Sequence, residues 1–226
     1  MKRSITGKVS AAVLAGLLGA CATPVDDPGD SGFLSDYPRL QEMKTAEGQT
    51  IRGWVSPKLT PSTYVAVLLE PLVFHPAPRP TEHVSEEALQ QILAYANTAV
   101  RRSISQRFSV VDRPAPGVLR IRSAITSVGA HGEALQPYQY IPVALVASMA
   151  SRAATGTPQR AFVVVEVEGS DSVSGEVLAL RTRVGTGERL AKVAEQNVIT
   201  LNSVKPLVDE LAAGAFPELA MYVKPK

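Results

Sequence analysis

Hydrophobic positions along the chain form short continuous or alternating runs and longer stretches in which they recur every three or four residues. Short runs are typical of β-strands, whose residues point alternately to the two faces of a sheet, whereas the longer spacing is typical of amphipathic helices. The predicted strands are residues 51–55, 64–69, 108–111, 118–128, 162–168 and 175–184. The predicted helices are residues 85–107, 141–153 and 203–214.

The first predicted helix has the clearest boundary signals. Ser85 is a suitable N-cap, and Glu86 and Glu87 follow it where the helix dipole favours negative charge. The apolar side chains that recur along one face are Leu89, Ile92, Ala96, Val100, Ile104 and Phe108. This pattern predicts a helix with one buried face.

The last two strands are joined by residues 169–175, which are typical of a turn, so they predict an antiparallel hairpin. Residues 129–140 are predicted to be a loop, and Gly185-Thr186-Gly187 the exit turn of the last strand. The element order β, β, α, β, β, α, β, β, α then predicts an α+β fold. We expect a mixed, mostly antiparallel sheet with helices packed on one face.

The start of the chain is typical of a lipoprotein signal peptide. Lys2, Arg3 and Lys8 precede an apolar run of about ten residues, the length of a signal-peptide core. The run ends Leu18-Gly19-Ala20-Cys21, in which small residues precede the single cysteine of the chain. We therefore predict cleavage between Ala20 and Cys21 and acylation of Cys21. The alternatives are an ordinary signal peptide and a buried N-terminal helix.

Removal of the leader changes the charge and the expected location. The three positive charges that it carries reduce the formal net charge from +2 to −1, so no basic surface indicates nucleic-acid binding. Acyl chains such as palmitate on Cys21 would bind membrane lipid stably. Because Ala22 rather than Asp follows the cysteine, the sorting rule of Gram-negative bacteria favours the outer membrane, with the domain facing the periplasm.

Three regions follow from these boundaries. Residues 1–20 form the signal peptide, residues 21–32 an acylated N-terminus and a flexible tether rich in Pro and Gly, and residues 33–226 a single periplasmic domain. Two apolar stretches are candidate docking surfaces. Residues 33–40 include Phe33, Leu34, Tyr37 and Leu40, which we expect to anchor the tether to the domain. Residues 141–150 form either part of the core or an interface.

The residues that carry chemistry form no recognisable catalytic, cofactor-binding or metal-binding pattern. All three histidines, His75, His83 and His131, lie in predicted loops, and their spacing matches no zinc motif. Glu166 and Glu168 share one strand face, but a chain with one Trp, six Tyr and five Phe is poorly suited to line a sugar-binding cleft. The sequence therefore predicts that the protein is not an enzyme.

Several stretches carry a family resemblance. Cys21, the segment SGFLSDYPRL at 31–40 and the segment RGWVSPKLTPSTYVAVLLEPLVF at 52–74 resemble bacterial lipoproteins grouped as domain of unknown function 3313. VVEVEGSDSVSGEVLAL at 164–180 is also similar to that family, in which a D-S-x-S/T-G turn joins two strands. The resemblance implies that the protein is a bacterial lipoprotein. It supplies no catalytic residues.

These observations predict an outer-membrane lipoprotein with a non-enzymatic binding or assembly role and an envelope protein as its partner. One alternative is a periplasmic hydrolase or metal-dependent enzyme that uses His75, Glu82 and His83. Another is a homo-oligomeric component of an envelope or secretion complex, indicated by residues 141–150. The sequence does not specify the oligomeric state.

Overall fold

The structure, a computed structural model, describes residues 30–45, 48, 50–80, 84–132, 159–189, 200–214 and 216–226. The strands are β1 (Gln41–Lys44), β2 (Thr50–Val55), β3 (Ala66–Leu69), β4 (Val73–Phe74), β5 (Val110–Val111), β6 (Val118–Gly132), β7 (Gln159–Asp171) and β8 (Val177–Arg189). The helices are α1 (Glu86–Arg107), α2 (Leu201–Ala213) and α3 (Phe216–Tyr222), with a 3₁₀ turn at Tyr37–Arg39.

The described strands form one eight-stranded sheet in the order β1-β2-β8-β7-β6-β3-β5, with β4 paired to β6. The β1–β2, β2–β8, β8–β7 and β7–β6 pairs are antiparallel, whereas β3 and β4 run parallel to β6 and β5 runs parallel to β3. The prediction of an α+β fold with a mixed, mostly antiparallel sheet is therefore confirmed, as is the hairpin formed by β7 and β8.

The two faces of the sheet are covered differently. On the helix face, Ile125 and Val163 pack against Ala96 of α1 and against Leu207 and Val208 of α2. On the opposite face, Ala124 and Leu180 pack against Phe33 and Leu34. We call this second face the segment face, because residues 30–40 lie across it, and we call those residues the N-terminal segment.

Helix α1 forms where its sequence predicts. The Ser85 side chain accepts a hydrogen bond from the backbone N–H of Ala88 at 3.1 Å, as expected of an N-cap. Four of the predicted apolar positions are buried within the helix, and Phe108 is buried immediately after it. The predicted apolar face of α1 is thus the face that is buried.

Two turn predictions are wrong because the central strands are longer than expected. The predicted loop at 129–140 begins too early, since β6 continues to Gly132 and pairs with β7 as far as Gln159, so His131 lies in a strand. Gly185 lies within β8 rather than in an exit turn. A Cβ there would lie 2.8 Å from Cδ1 of Leu207, so glycine permits the close approach of α2 to the sheet.

The sequence pattern also missed several short elements. Strands β1 and β4 and helix α3 were not predicted, because each is too short to show a periodic pattern. Helix α2 begins at Leu201 with Thr200 as its N-cap, slightly before the predicted start. The predicted helix 141–153 and the candidate surface 141–150 lie outside the described residues.

Candidate functional site

Two glutamates occupy the centre of the segment face. Glu166 and Glu168 alternate along β7 with Val165 and Val167, so the carboxylates and the valines lie on opposite faces. Glu166 is fully buried, and Glu168 is only 7% exposed. Since burying a carboxylate is costly unless it is paired or hydrogen-bonded, these two side chains require polar partners.

The N-terminal segment is folded around the hydroxyl group of Tyr37. The backbone N–H groups of Phe33 and Leu34 donate hydrogen bonds to Tyr37 Oη at 3.0 and 3.1 Å. The Phe33 N–H also lies 3.1 Å from Ser31 Oγ. Pro38, in the 3₁₀ turn that follows, restricts the backbone at the end of this loop. The segment therefore presents two hydroxyl groups, those of Ser31 and Tyr37, from one compact turn.

Both hydroxyl groups donate to Glu166. Ser31 Oγ lies 2.8 Å and Tyr37 Oη 2.6 Å from Glu166 Oε2. Glu166 Oε1 is buried and has no hydrogen-bond partner among the described residues. Burial raises the pKa of Glu166, although hydrogen bonds from Tyr37 and Ser31 oppose that rise.

Glu168 has a different electrostatic environment. Arg122 Nε lies 2.8 Å from Glu168 Oε1, and the Ser35 N–H donates to Glu168 Oε2 at 2.9 Å. Burial favours a higher pKa, but the hydrogen bonds from Arg122 and Ser35 outweigh it and hold the pKa of Glu168 below its ordinary value. The pKa values of the two neighbouring carboxyl groups on β7 are therefore shifted in opposite directions.

Arg122 joins the sheet to the N-terminal segment. It pairs with Glu168, and its Nη2 donates to the carbonyl oxygen of Phe33 at 2.7 Å. Its guanidinium carbon also lies 4.6 Å from the centroid of the Phe33 ring, within cation–π range. Ser31, Tyr37, Arg122, Glu166 and Glu168 together form what we call the anchoring site.

Apolar burial reinforces the anchoring site. Phe33 and Leu34 are 9% and 5% exposed and pack with Ala124 and Leu180. Burial of each such side chain contributes about 1.5–3 kcal/mol. The prediction that these residues anchor the tether to the domain agrees with this packing. Because Phe33 and Leu34 are buried against their own sheet, the prediction that 33–40 forms a docking surface for a partner is wrong for these two residues.

The structure brings together few of the residues singled out for catalysis or metal binding. His75 lies beside the N-terminal segment, with its ring centroid 5.7 Å from that of Phe33. Glu82 and His83, the other two members of the hypothetical metal site, lie outside the described residues, as do Ala20 and Cys21. Within the part of the chain that the structure describes, no three His, Cys, Asp or Glu side chains are grouped so as to hold a metal ion.

Sequence analysis noted Glu166 and Glu168 but missed their importance. They were noted to share one strand face and were considered only as a possible carboxylate pair of a sugar-binding cleft. A signal was present, because two carboxylates alternate with valines in a strand that is bordered by strands on both sides. The partner could not be identified, since Ser31 and Tyr37 lie about 130 residues away along the chain, at separations of 135 and 129 residues.

The family comparison covers the anchoring site and all the described strands of the sheet. Residues 29–215 match the family described as "Protein of unknown function (DUF3313)". The chain belongs to this family. The matched region begins immediately before the N-terminal segment, so it contains both the segment and the strands that receive it.

A relative with a printed description supports a lipoprotein assignment. The chain is 32% identical over 213 residues to the "Uncharacterized lipoprotein YdcL" of Escherichia coli strain K12, covering 93% of this chain and 95% of the relative. The protein of the same description in E. coli O157:H7 gives the same identity and coverage. Among the described residues, no helix is both long and apolar enough to cross a membrane.

Similarity to solved structures is weak. A PelC dodecamer from Paraburkholderia phytofirmans has a TM-score of 0.32 and 14% identity, covering 73% of this chain and 96% of that one. A putative neuraminyllactose-binding hemagglutinin homolog from Helicobacter pylori has a TM-score of 0.32 and 9% identity, covering 71% and 83%. Scores this low establish no shared function.

Proposed function

We propose that this protein is a lipid-anchored outer-membrane lipoprotein that holds its α+β domain in the periplasm as a non-enzymatic binding or assembly module. In this proposal the acyl chains are carried by Cys21, and the N-terminal segment connects this lipid anchor to the folded domain. The homologous lipoprotein of E. coli supports the lipid anchor. The polar residues of the anchoring site contact one another, which suits a structural connection rather than catalysis.

The observation that carries the proposal is the burial of the N-terminal segment on the sheet. Ser31 is ten positions after Cys21, and an extended chain covers at most about 3.6 Å per residue. An acylated Cys21 would thus hold Ser31 within about 36 Å of the membrane surface. Because Ser31 is bonded to Glu166 at the centre of the sheet, the connection would hold the domain itself near the bilayer, not only a loose arm.

Metabolic labelling with an alkyne analogue of palmitate tests the anchor. The wild-type chain should carry the label and sediment with outer membranes, whereas Cys21→Ser should be unlabelled and no longer membrane-bound. Thr23→Ala, a small change two residues away, is the matched control and should behave like the wild type. Outer-membrane sedimentation of the unlabelled Cys21→Ser variant would overturn the proposal.

The position after the cysteine tests the choice of membrane. Ala22→Asp should keep the label but move the protein to the inner-membrane fraction in a density gradient, because Asp at this position is the usual retention signal. Ala22→Ser serves as the control and should remain in the outer-membrane fraction. If the two labelled variants showed the same distribution between the inner and outer membranes, outer-membrane sorting by this rule would be contradicted.

One end of the sheet carries exposed apolar residues at which binding of a partner protein can be tested. Val65, Val173 and Met221 are 52%, 63% and 45% exposed. Hydrogen bonds between neighbouring loops place Val65 beside Gly117 and Ser172 beside Val118, so Val65 and Val173 lie at the same end. Exposed apolar side chains grouped in this way are typical of interaction surfaces.

Photo-crosslinking in intact cells tests this surface. A benzophenone amino acid placed at Val173 or Val65 should give a discrete crosslinked product with an envelope protein, identified by mass spectrometry. The same probe at Gln90, an exposed position on α1, is the control and should not give that product. Identical product patterns at all three positions would contradict a binding role for this end of the sheet.

A further inference from the structure

Exposed apolar side chains lie at one end of the sheet, in segments that hydrogen bonds hold together. They are Val65, Val173 and Met221. The N–H of Val65 donates to the carbonyl oxygen of Gly117 at 2.8 Å, in the loop between β5 and β6. In the same loop, the carbonyl oxygen of Ala115 accepts a hydrogen bond at 3.0 Å from the hydroxyl group of Ser172, the neighbour of Val173. These segments form one surface, which we call the end surface.

Exposed cations surround the apolar side chains of the end surface. The C-terminal residues that follow Met221 run along it, because the N–H of Lys224 donates to the carbonyl oxygen of Tyr64 at 2.9 Å. The N–H of Lys226 donates to the carbonyl oxygen of Arg107 at 2.8 Å, which places the end of α1 at the same surface. The exposed cations located here are Arg107, Lys224 and, in the loop between β5 and β6, Arg113.

The carboxylates near the end surface are engaged by other groups. Asp112 forms an ion pair with Arg101 at 3.4 Å, and Glu176 forms one with Lys58 at 2.6 Å. Asp171 accepts hydrogen bonds from the backbone N–H groups of its own turn. The described residues of this end therefore carry an excess of positive charge, although the chain without its predicted leader has a formal net charge of −1.

We propose that the end surface binds an envelope protein whose contact surface is acidic around an apolar centre. The inference rests on the proposed function, because it gives a chemical character to the partner proposed there. The apolar side chains lie at the centre of the contact, and the cations at its rim set orientation and association rate. A second copy docked by the same surface across a two-fold axis is disfavoured, since like charges would then face one another.

The test places a benzophenone amino acid at Val173 of the full chain in intact cells and measures the yield of the crosslinked protein product. Arg113→Glu/Lys224→Glu should reduce that yield about fivefold or more, because acidic groups would then face an acidic partner. Lys44→Glu/Arg79→Glu is the matched control, since it reverses two exposed cations away from the end surface. Its yield should stay within about twofold of the chain without these changes.

Two further variants show that charge rather than shape is responsible. Arg113→Gln/Lys224→Gln removes the charges without reversing them and should give an intermediate yield. After mass spectrometry has mapped the crosslink on the partner, a lysine in place of the partner's nearest carboxylate should restore the yield of Arg113→Glu/Lys224→Glu. Immunoblots normalise each yield to the amount of protein. Should the double reversal fail to accumulate, Lys224→Glu alone replaces it.

The outcomes separate this inference from the proposed function. A protein product with the same yield in both double-reversal variants overturns the acidic partner but leaves a binding role for this end of the sheet. A probe attached to phospholipid, or a product of two copies of this chain, identifies a different occupant and also overturns the inference. If the probe at Val173 gives no product beyond that of the Gln90 control, binding at this end is itself contradicted.

Discussion

The two faces of β7 are stabilised by different kinds of contact. Val163, Val165 and Val167 face two regular helices across an apolar layer that retains a cavity. Glu166 and Glu168, the intervening residues, face an irregular segment that supplies specific hydrogen bonds. Adjacent residues of a single strand therefore depend on hydrophobic packing in one direction and on polar complementarity in the other.

This difference shows how the N-terminal segment is fixed in position. Apolar contacts are nondirectional, so a segment held by them alone could slide along the sheet. Hydrogen bonds to buried carboxylates require particular donors at particular distances, and each unpaired buried group is penalised. The segment face is therefore specified more strictly than the helix face, although both are buried.

Truncation of one large apolar side chain on each face should produce the largest effect. Phe33→Ala on the segment face and Leu207→Ala on the helix face should each lower the free energy of unfolding by about 3 kcal/mol. Only Phe33→Ala should also release the N-terminal segment, so that protease cleaves it near Tyr37 in otherwise folded protein. Urea unfolding and limited proteolysis measure the two effects, and equal cleavage of both variants would contradict the comparison.

Loss of the partly buried ion pair between Arg122 and Glu168 should have the next largest effect. Arg122→Ala should lower the free energy of unfolding by about 2–3 kcal/mol, because it leaves the carboxylate of Glu168 buried without its counter-charge. Lys58→Ala is the matched control, since it breaks the exposed Lys58–Glu176 pair, in which the side chains are 72% and 45% exposed. That change should cost less than about 1 kcal/mol. Similar losses in the two urea curves would show that Arg122 is not essential to the segment face.

The two carboxylates should give opposite pH dependences. Glu166 has a raised pKa, so above its ordinary value of 4.5 the folded state holds more proton than the unfolded chain, and stability falls as the pH rises. Glu166→Gln, which resembles the protonated form, should remove this loss and be more stable than the wild type at alkaline pH.

Glu168→Gln is the counterpart on the same strand. The lowered pKa of Glu168 contributes stability above pH 4.5, which is lost as the pH falls through the folded-state value. The Glu168→Gln variant should therefore be less stable than the wild type at neutral pH, and the difference in stability should become smaller in acid. Chemical unfolding across the pH range measures both variants, and parallel curves for the two would refute the assignment of opposite environments.

Addition of one methyl group to each face should produce the smallest effect. Val165→Ile extends into the cavity on the helix face and should increase the free energy of unfolding by about 0.5–1 kcal/mol. Val164→Ile adds the same group where the side chain is only 1% exposed on the segment face, and should decrease it by about 1 kcal/mol through overpacking. A decrease for both variants would show that the cavity cannot accept additional volume.

Much of the fold was predictable from local sequence. Ser85 and the apolar stripe after it define α1, because capping and amphipathic spacing depend on neighbouring residues. The hairpin of β7 and β8 follows from two apolar runs that flank a turn sequence. The full extent of these strands was not predictable, since pairing across the sheet carries β6 and β7 beyond their apolar cores to Gly132 and Gln159.

The sequence by itself predicted the leader and determined the family resemblance, the fold class and the presence of a core, because each depends on composition or short-range pattern. Only the tertiary structure decided that Glu166 and Glu168 are buried and which donors satisfy them. Their partners in the N-terminal segment, Ser31, Ser35 and Tyr37, are at least 129 residues away in sequence. Hydrogen bonding over such a separation is set by the geometry of the assembled sheet and leaves no local pattern in the chain.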